Sequence, residues 1–412
     1  MQKPRSSLLG LSRPVWLLGW VSLATDAATE AIYPLLPFFL TQVLGAGAVS
    51  LGIIEGAAEA TNSALKILAG RLADRSPSKR PLVLVGYAIS SAVRPLIAVA
   101  QTWSHVFAVR VFDRVGKGIR GAPRDAMLAS LATPATRGKV YGFHRAMDHS
   151  GAVIGPTLAT LFLYFYPGEY RTLFALTIVP GTIAVALIFF VQEPSLVASD
   201  FLVAPKPLGG EGGSPAAGKA PAVQAKLPGR LKAFFLILAL FTLGNSTDAF
   251  LLLRLTEVAG SIQFIPLMWA ALHIVKATIS VLAGSWSDRI GRRVVIATGW
   301  IVYAVVYAGF ALSTSLPALL AWFLLYGFYF GFAEGTEKAL VADLAPASSR
   351  GFAFGIYNAV LGIGGLAASI VFGIVWKEIS PAAAFSMGAA LALVSTVLLF
   401  IVVPGRAVLS QS

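Results

Sequence analysis

The sequence predicts an all-α polytopic membrane protein with twelve transmembrane helices in two pseudo-symmetric six-helix bundles. Three observations carry this prediction. The 412 residues are 57% hydrophobic and only 12% charged, with a mean hydropathy of +0.77, which is too apolar for a soluble globular chain. Long apolar segments recur along the whole length. Short sequence patterns in the first half return at equivalent places in the second.

The first predicted bundle covers residues 1–191 and contains six apolar segments. Residues 192–228 are rich in Pro, Gly, Ala and Ser, which is typical of a flexible linker. The second predicted bundle covers residues 229–412 and contains six more segments. The segments lie at about 14–44, 51–73, 81–100, 103–131, 140–166, 171–191, 231–258, 264–285, 294–312, 316–344, 351–376 and 381–403.

The net charge of +13 predicts membrane orientation and not nucleic-acid binding, because most Lys and Arg residues fall in alternate loops. That distribution places both termini and the linker in the cytoplasm of a cell with the protein in its inner (plasma) membrane. The chain has no cysteine, and its four histidines show no metal-binding spacing. We therefore expect no metal and no cofactor.

Two internal repeats relate the halves. AGRLADR at 69–75 returns as AGSWSDR at 283–289, and LATPATRGKVYG at 131–142 returns as LAPASSRGFAFG at 344–355. Both pairs fall before the third and the fifth segment of their halves. Two six-helix halves related by an axis along the membrane normal are a transporter architecture.

The fourth segment carries a charged stripe, RVFDRVGKGIRGAPRD at 110–125. On a helix, its seven charged side chains share one arc of roughly 140°. Charge inside a bilayer usually faces a bundle interior or a wet cavity. The outer part of the stripe, Arg110, Asp113, Arg114 and Lys117, is a candidate substrate-binding wall. The alternative is a structural network with carboxylates of neighbouring helices.

Carboxylates inside a membrane commonly serve proton relays, so Asp26, Glu30 and Glu59 are candidates for proton coupling. The repeat alignment adds candidates for the opposite, substrate-binding wall in the second half. These are Asn245, Asp248, His273 and Lys276.

Four motifs resemble those of the major facilitator superfamily. GRLADRSPSKR at 70–80 and GSWSDRIGRR at 284–293 resemble the two copies of its loop signature, and RVFDRVGKG at 110–118 its helix-four signature. GAVIGP, with Gly151, Gly155 and Pro156, resembles the helix-five signature of antiporters, although Ala159 and Thr160 replace the usual trailing glycine pair. The resemblance implies alternating access, and it implies a cytoplasmic latch formed by Gly70, Asp74, Arg75, Asp288 and Arg289.

The repeat also aligns PRDA around Arg124 and Asp125 with TEKA around Glu337 and Lys338, with the charges inverted. Pseudo-twofold symmetry would bring these positions together. We therefore expect Arg124 to pair with Glu337, and Asp125 with Lys338, in a gate between the halves. The alternative is that each charge is satisfied within its own half.

These patterns predict a secondary transporter and not an enzyme, since the sequence has neither an ATP-binding loop nor a nucleophile–base pair. The expected activity is proton-coupled efflux of an anionic or amphiphilic small molecule by a monomer in the lipid bilayer. The alternatives are a proton-coupled importer of an organic anion and a lipid-moving transporter. A non-transporting sensor or a membrane enzyme is the remote alternative.

Overall fold

The computed structural model describes residues 10–36, 39–45, 48–193, 227–259 and 265–403, and these residues form helices with no strand among them. Most of the predicted linker lies outside the described residues. The helices of the first half are α1 (Arg13–Glu30, followed by short turns at Tyr33–Leu35 and Phe39–Val43), α2 (Ala48–Arg75), α3 (Arg80–Val93, continued by a 3-10 turn at Arg94–Val99), α4 (Trp103–Ser130), α5 (Arg137–Phe165) and α6 (Tyr170–Leu176 and Ile178–Phe189). Those of the second half are α7 (Gly229–Gly244 and Ala249–Ala259), α8 (Ile265–Ile290), α9 (Arg292–Leu312), α10 (Leu316–Leu344), α11 (Arg350–Glu378) and α12 (Pro381–Val402).

The helices differ in whether they contain a long, apolar stretch that could cross a membrane. Among the described residues, seven helical stretches are long and apolar enough to cross a membrane by length and composition alone, and they correspond to α3, α6 and α8 to α12. The other five, α1, α2, α4, α5 and α7, carry ionisable residues or are interrupted. Intramembrane charge is costly and is usually functional. The apolar helices α8 and α10 also carry ionisable residues, namely His273, Lys276, Glu334, Glu337 and Lys338.

The break in α3 has a local cause. Pro95 has no backbone N–H, so the α-helical hydrogen bonding cannot continue through it, and the helix passes into a 3-10 turn that begins at Arg94. The turn leaves the Arg94 side chain buried in the first half, with 4% of its surface exposed. A buried guanidinium requires a carboxylate partner.

The two halves meet along two helix pairs, α2 with α11 and α5 with α8. We call the membrane side that carries the loops α2–α3, α4–α5, α8–α9 and α10–α11 the basic face. Glycines allow backbones to approach closely there. A Cβ added to Gly70 would overlap the carbonyl of Gly351, and one added to Gly284 would overlap that of Gly138. The halves are therefore in direct contact at the basic face.

The second half is built around an aromatic core. The rings of Phe241 and Trp300 stack with centroids 4.5 Å apart, and Tyr303 stacks on Tyr307 at 4.1 Å. Tyr326 lies 5.6 Å from Tyr329 in the same cluster. Hydroxyl groups in such a core need partners. The Tyr326 hydroxyl donates to the Asp248 carboxylate, and the Tyr303 hydroxyl donates to the backbone carbonyl of Gly244.

Candidate functional site

The first latch joins α2 to the start of α11. The Asp74 carboxylate accepts hydrogen bonds from the backbone N–H groups of Gly351, at 2.6 Å, and Phe352, at 2.7 Å. The first N–H groups of a helix have no partner within it, and the helix dipole favours an anion at that end. Asp74 therefore caps a helix of the other half, while Arg75 is exposed and Gly70 lies at the close backbone contact.

The second latch joins α8 to the start of α5 and repeats this geometry. Asp288 accepts from the backbone N–H groups of Gly138, at 2.9 Å, and Lys139, at 2.8 Å. Arg292 donates to the same carboxylate. Arg289, predicted with the latch, lies on an exposed position beside it.

An ion network extends the second latch. The Asp343 carboxylate accepts from Arg137 at 2.6 Å and from Arg292 Nε at 3.0 Å, so it links the two halves. Arg292 also donates to the carbonyl of Pro134 at 2.7 Å. Sequence reasoning missed Asp343 as a site residue. The only signal was its position directly before the repeated loop sequence.

The predicted contact between Asp125 and Lys338 is present. Lys338 Nζ lies 2.5 Å from Asp125 Oδ2, and the two residues have 2% and 1% of their surface exposed. Removing one partner of such a buried ion pair strongly destabilises the folded protein, because the other charge then remains uncompensated. The pair lies between α4 and α10, and so between the halves.

The predicted pairing of Arg124 with Glu337 is wrong in this conformation. Arg124 lies 3.3 Å from Asp125 Oδ1 and donates to the Tyr87 hydroxyl at 3.3 Å. Glu337 accepts from Trp300 Nε1 and from the Tyr357 hydroxyl, both at 3.0 Å. The carboxylate is satisfied by neutral donors within its own half, which is the alternative that the sequence left open.

The outer part of the α4 stripe divides into two groups. Arg110 and Asp113 are buried, and Asp113 is bound by Arg94 at 3.0 Å and lies 3.9 Å from Arg110. This supports the structural-network alternative for these two candidates. Arg114 retains 8% exposure, and Lys117 is exposed.

The candidate proton carriers lie around the exposed Lys117. The charges of Asp26 and Glu59 act on Lys117. The charges of Lys117 and Arg114 act on Glu30. Asp26 and Glu30 are half-buried on α1. Glu59 is exposed and accepts from the Asn62 amide at 3.0 Å.

The second-half candidates form one connected wall. Asp248 accepts from the Tyr326 hydroxyl at 2.8 Å and from Lys276 Nζ at 3.4 Å. Lys276 Nζ also lies 3.5 Å from the centre of the Phe330 ring. Asn245 donates to the Tyr329 hydroxyl at 2.8 Å. His273 lies next to Trp269, with ring centroids 5.1 Å apart.

The helix-five signature acts in packing. A Cβ added to Gly151 would overlap the carbonyl of Leu23, and one added to Gly155 would overlap that of Ala27, both on α1. Pro156 lies inside α5 directly after this contact. These residues hold α1 close to α5, which fixes the position of Asp26.

Comparison with known proteins agrees with this geometry. The family model described as Major Facilitator Superfamily matches residues 16–260 and 233–411. An uncharacterized MFS-type transporter of Methanocaldococcus jannaschii is 34% identical over 411 residues, which is 98% of each chain. The multidrug resistance protein MdtH of Salmonella arizonae is 25% identical over 341 residues, covering 81% of this chain and 79% of that protein.

Solved structures share the fold. The human organic anion transporter MFSD10 (TETRAN) superposes with a TM-score of 0.73 at 20% identity, covering 94% of this chain and 99% of that one. The E. coli fucose:proton symporter FucP superposes with a TM-score of 0.71 at 15% identity, covering 95% and 98%.

The helices, the two latches and the buried charges define a polytopic transporter and not an enzyme. The chain belongs to the major facilitator superfamily, and its substrates are small molecules. Its fold is that of the family, with which twelve membrane-crossing helices in two halves are consistent.

Proposed function

We propose that this protein is a proton-coupled exporter of amphiphilic organic anions, acting as a monomer in the inner (plasma) membrane. Its termini and basic face lie in the cytoplasm, in accordance with the excess of Lys and Arg in the loops of that face. The described conformation is closed at the basic face by both latches, and alternating access requires a state that is closed there.

The observation that carries the proposal is a contrast between two walls at one depth. Asp26 on α1, Lys117 on α4 and Lys276 on α8 each lie thirteen or fourteen residues from the basic-face end of their helix. At 1.5 Å per residue this is about 20 Å, which is near the middle of a bilayer. Transporters of this architecture bind substrate at that depth, between the halves.

The two walls have different chemistry. The first-half wall presents Lys117 and Arg114 with the carboxyl groups of Asp26 and Glu30. In the second half, the polar groups lie against aromatic rings, as Lys276 does against Phe330. An anionic head group suits the cations of α4, and an apolar aromatic body suits the rings of the second half.

Proton coupling follows from competition for the same cations. The charge of Lys117 acts on both Asp26 and Glu30, and that of Arg114 acts on Glu30. Protonation of a carboxyl group would leave a cation available to an anionic substrate, and substrate release would return the proton. The Salmonella relative is named a multidrug resistance protein, which supports export, and the human protein is named an organic anion transporter, which supports organic anions as substrates.

The test is a thermal-shift screen of purified protein against aromatic sulfonates and carboxylates, with aromatic amines of matched size as controls. We expect the anions to stabilise the protein and the Lys117→Gln variant to lose most of that effect. Hits are then followed in proteoliposomes under pH gradients of either sign. Stabilisation by amines or sugars alone would contradict the substrate class, and flux that is indifferent to the pH gradient would contradict the coupling.

A further inference from the structure

The charged stripe of α4 has a gap at Gly121, and a lysine of α2 lies over that gap. Gly121 is one turn from Lys117 and falls about 20° from Arg110 around the helix, inside the arc of the charged side chains. A Cβ added to Gly121 would lie 3.8 Å from Cε of Lys66 and 3.9 Å from its Cγ. The aliphatic part of Lys66 therefore packs on α4 where the stripe has no side chain, and its ammonium group adds a cation to the stripe.

Lys66 lies deeper in the membrane than the gate. Lys66 and Gly121 are each nine residues from the basic-face ends of their helices, which corresponds to about 14 Å. Asp125, which pairs with Lys338, is only five residues from the end of α4, or about 8 Å. Lys117 is thirteen residues from that end, at about 20 Å. The two lysines therefore follow one another along the first-half wall, on the inner side of the gate.

These two lysines differ from the buried cations of the stripe in their contacts. Arg124 lies 3.3 Å from the carboxylate of Asp125. Neither the ammonium group of Lys66 nor that of Lys117 forms an ion pair or a hydrogen bond within the described part of the chain. Lys66 is half-buried and Lys117 is exposed. Because an ammonium group inside a membrane protein needs acceptors, both are available to a ligand.

The charges around the two lysines are balanced among the described residues. The charge of Arg114 acts on both lysines, so three cations lie together. Three carboxyl groups share electrostatic interactions with these cations, namely Glu59, Asp26 and Glu30. The charges of Asp125 and Arg145, which also act on Lys66, are each compensated by an ion pair of their own.

The proposed proton coupling changes this balance. Protons taken up by Asp26 and Glu30 leave three cations facing the single carboxylate of Glu59, which is an excess of two positive charges. Glu59 already accepts from the Asn62 amide at 3.0 Å. A ligand with one negative charge would leave one cation uncompensated inside the membrane, whereas a ligand with two would compensate both.

We propose that Lys66 and Lys117 together bind the head group of the substrate, and that this head group is an organic phosphate with two negative charges. The proposal rests on the proposed function and specifies its anion. A phosphate monoester carries about 1.5 to 2 negative charges near neutral pH and has three strong acceptor oxygens. Separate oxygens can therefore accept from the two ammonium groups. A sulfonate has a similar shape but a single charge.

The experiment compares three ligands that have the same aromatic body. Naphthyl phosphate, its methyl ester and naphthalenesulfonate are titrated into purified protein by calorimetry at about pH 7, where the monoester is mostly doubly charged. The methyl ester keeps the phosphorus group but has one negative charge. We expect naphthyl phosphate to bind about tenfold more tightly than either monoanion, which is the size expected for one further charge-assisted hydrogen bond.

Lys66→Gln should remove this preference, while the methyl ester keeps most of its affinity because Lys117 is still present. Lys66→Arg, which retains the charge, should keep the preference. The matched control is Lys232→Gln, which removes one positive charge from an exposed position at the start of α7. It should bind all three ligands as the parent protein does.

Substitutions of Gly121 test the same position without changing charge. Gly121→Leu fills the space that the Lys66 side chain occupies, so it should also remove the preference. Gly121→Ala adds only a Cβ at the ordinary contact distance of 3.8 Å and should keep it. Binding of the methyl ester shows that each variant is folded.

A preference for naphthyl phosphate that survives Lys66→Gln would overturn the proposal. Equal affinity of the parent protein for naphthyl phosphate and its methyl ester would also overturn it, but would leave an exporter of organic anions in place. If none of the three anions bound, the proposed function and this inference would fail together.

Discussion

The two latches at the basic face share one geometry but differ in reinforcement. In each, an aspartate after a glycine-containing turn of helix caps the first N–H groups of a helix in the other half. The α5–α8 latch adds the network of Arg137, Asp343 and Arg292. The α2–α11 latch has its backbone cap and the contact of Arg71 with the ring of Phe352, at 4.7 Å.

The repeat explains the difference residue by residue. The offset that relates the α4–α5 and α10–α11 loops puts Ser130 at the position of Asp343 and Arg350 at that of Arg137. Without a carboxylate there, the buried Nε of Arg350 has no hydrogen-bond partner among the described residues. Arg80 begins α3 as Arg292 begins α9, but it donates to the carbonyl of Phe189 within its own half, at 2.5 Å.

Pseudo-symmetry of the fold therefore does not give equal contacts at the two latches. One ion network at a single site makes the α5–α8 contact the stronger one. We therefore expect the basic face to separate first along α2 and α11. The following substitutions test whether the two latches differ in strength.

The largest effect is expected for Asp343→Asn. The change removes the shared acceptor of Arg137 and Arg292 and leaves the largely buried Arg137 uncompensated, while Arg292 keeps Asp288. Breaking such a network costs about 3–5 kcal/mol. The measurement is electron–electron resonance on spin labels at Ala135→Cys and Ala347→Cys, which are exposed positions of the two halves in a chain without cysteine. We expect this label pair to move almost completely to the open distance. An unchanged distance distribution would show that the network carries no closing energy.

Nearly as large an effect is expected for single charge reversals at the Asp125–Lys338 pair. Asp125→Lys or Lys338→Asp alone places like charges together in a buried site and should abolish closure. The double reversal should restore much of it. The matched control is the double variant Arg124→Glu with Glu337→Arg. It should not recover the closure that its single variants lose, because Arg124 and Glu337 are not in contact. Equal rescue of both double variants would contradict the assignment of the gate.

A smaller effect is expected for Asp74→Ala. Loss of a helix cap costs about 1–2 kcal/mol, which is about a tenfold shift toward the open state. The same label pair measures it. If Asp74→Ala opened the face as completely as Asp343→Asn, the two latches would be equal in strength and the contrast would fail.

The smallest effect, and the only gain, is expected for Ser130→Asp. It supplies the carboxylate that the repeat position lacks, beside a partly solvated Arg350, and such a pair contributes about 0.5–1 kcal/mol. The open fraction measured with the same label pair should fall slightly. Ser130→Asn, which has the same shape without the charge, is the control and should leave the open fraction unchanged.

The sequence predicted the architecture well because hydropathy and repeats depend on local pattern. Most helix bounds agree with the predicted segments, but the first segment, 14–44, is α-helical only to Glu30, and the seventh, 231–258, is interrupted after Gly244. The contact of Asp125 with Lys338 was predictable because the two residues carry opposite charges at positions that the repeat relates, and pseudo-twofold symmetry brings such positions together. The role of Asp74 could be inferred, but its partner could not, since backbone N–H groups leave no trace in sequence.

Other site features were beyond prediction for tertiary reasons. Glu337 does not meet Arg124 because Trp300 and Tyr357, distant in sequence, satisfy it first. The contact of His149 with Glu334 was not predicted, since the two residues lie 185 positions apart in different halves. Asp113 was a candidate for the substrate-binding wall, with a structural network as the alternative, and the structure shows it bound by Arg94 from the interrupted helix α3.

The most direct test of unequal closure compares two spin-label pairs in the otherwise unaltered protein. One pair, Pro77→Cys with Ala347→Cys, spans α2 and α11, and the other, Ala135→Cys with Ile290→Cys, spans α5 and α8. All four positions are exposed at the basic face. If the α5–α8 latch is the stronger one, the α2–α11 pair should show a broader distance distribution and a larger open fraction. Equal distributions, or a larger open fraction for the α5–α8 pair, would contradict it.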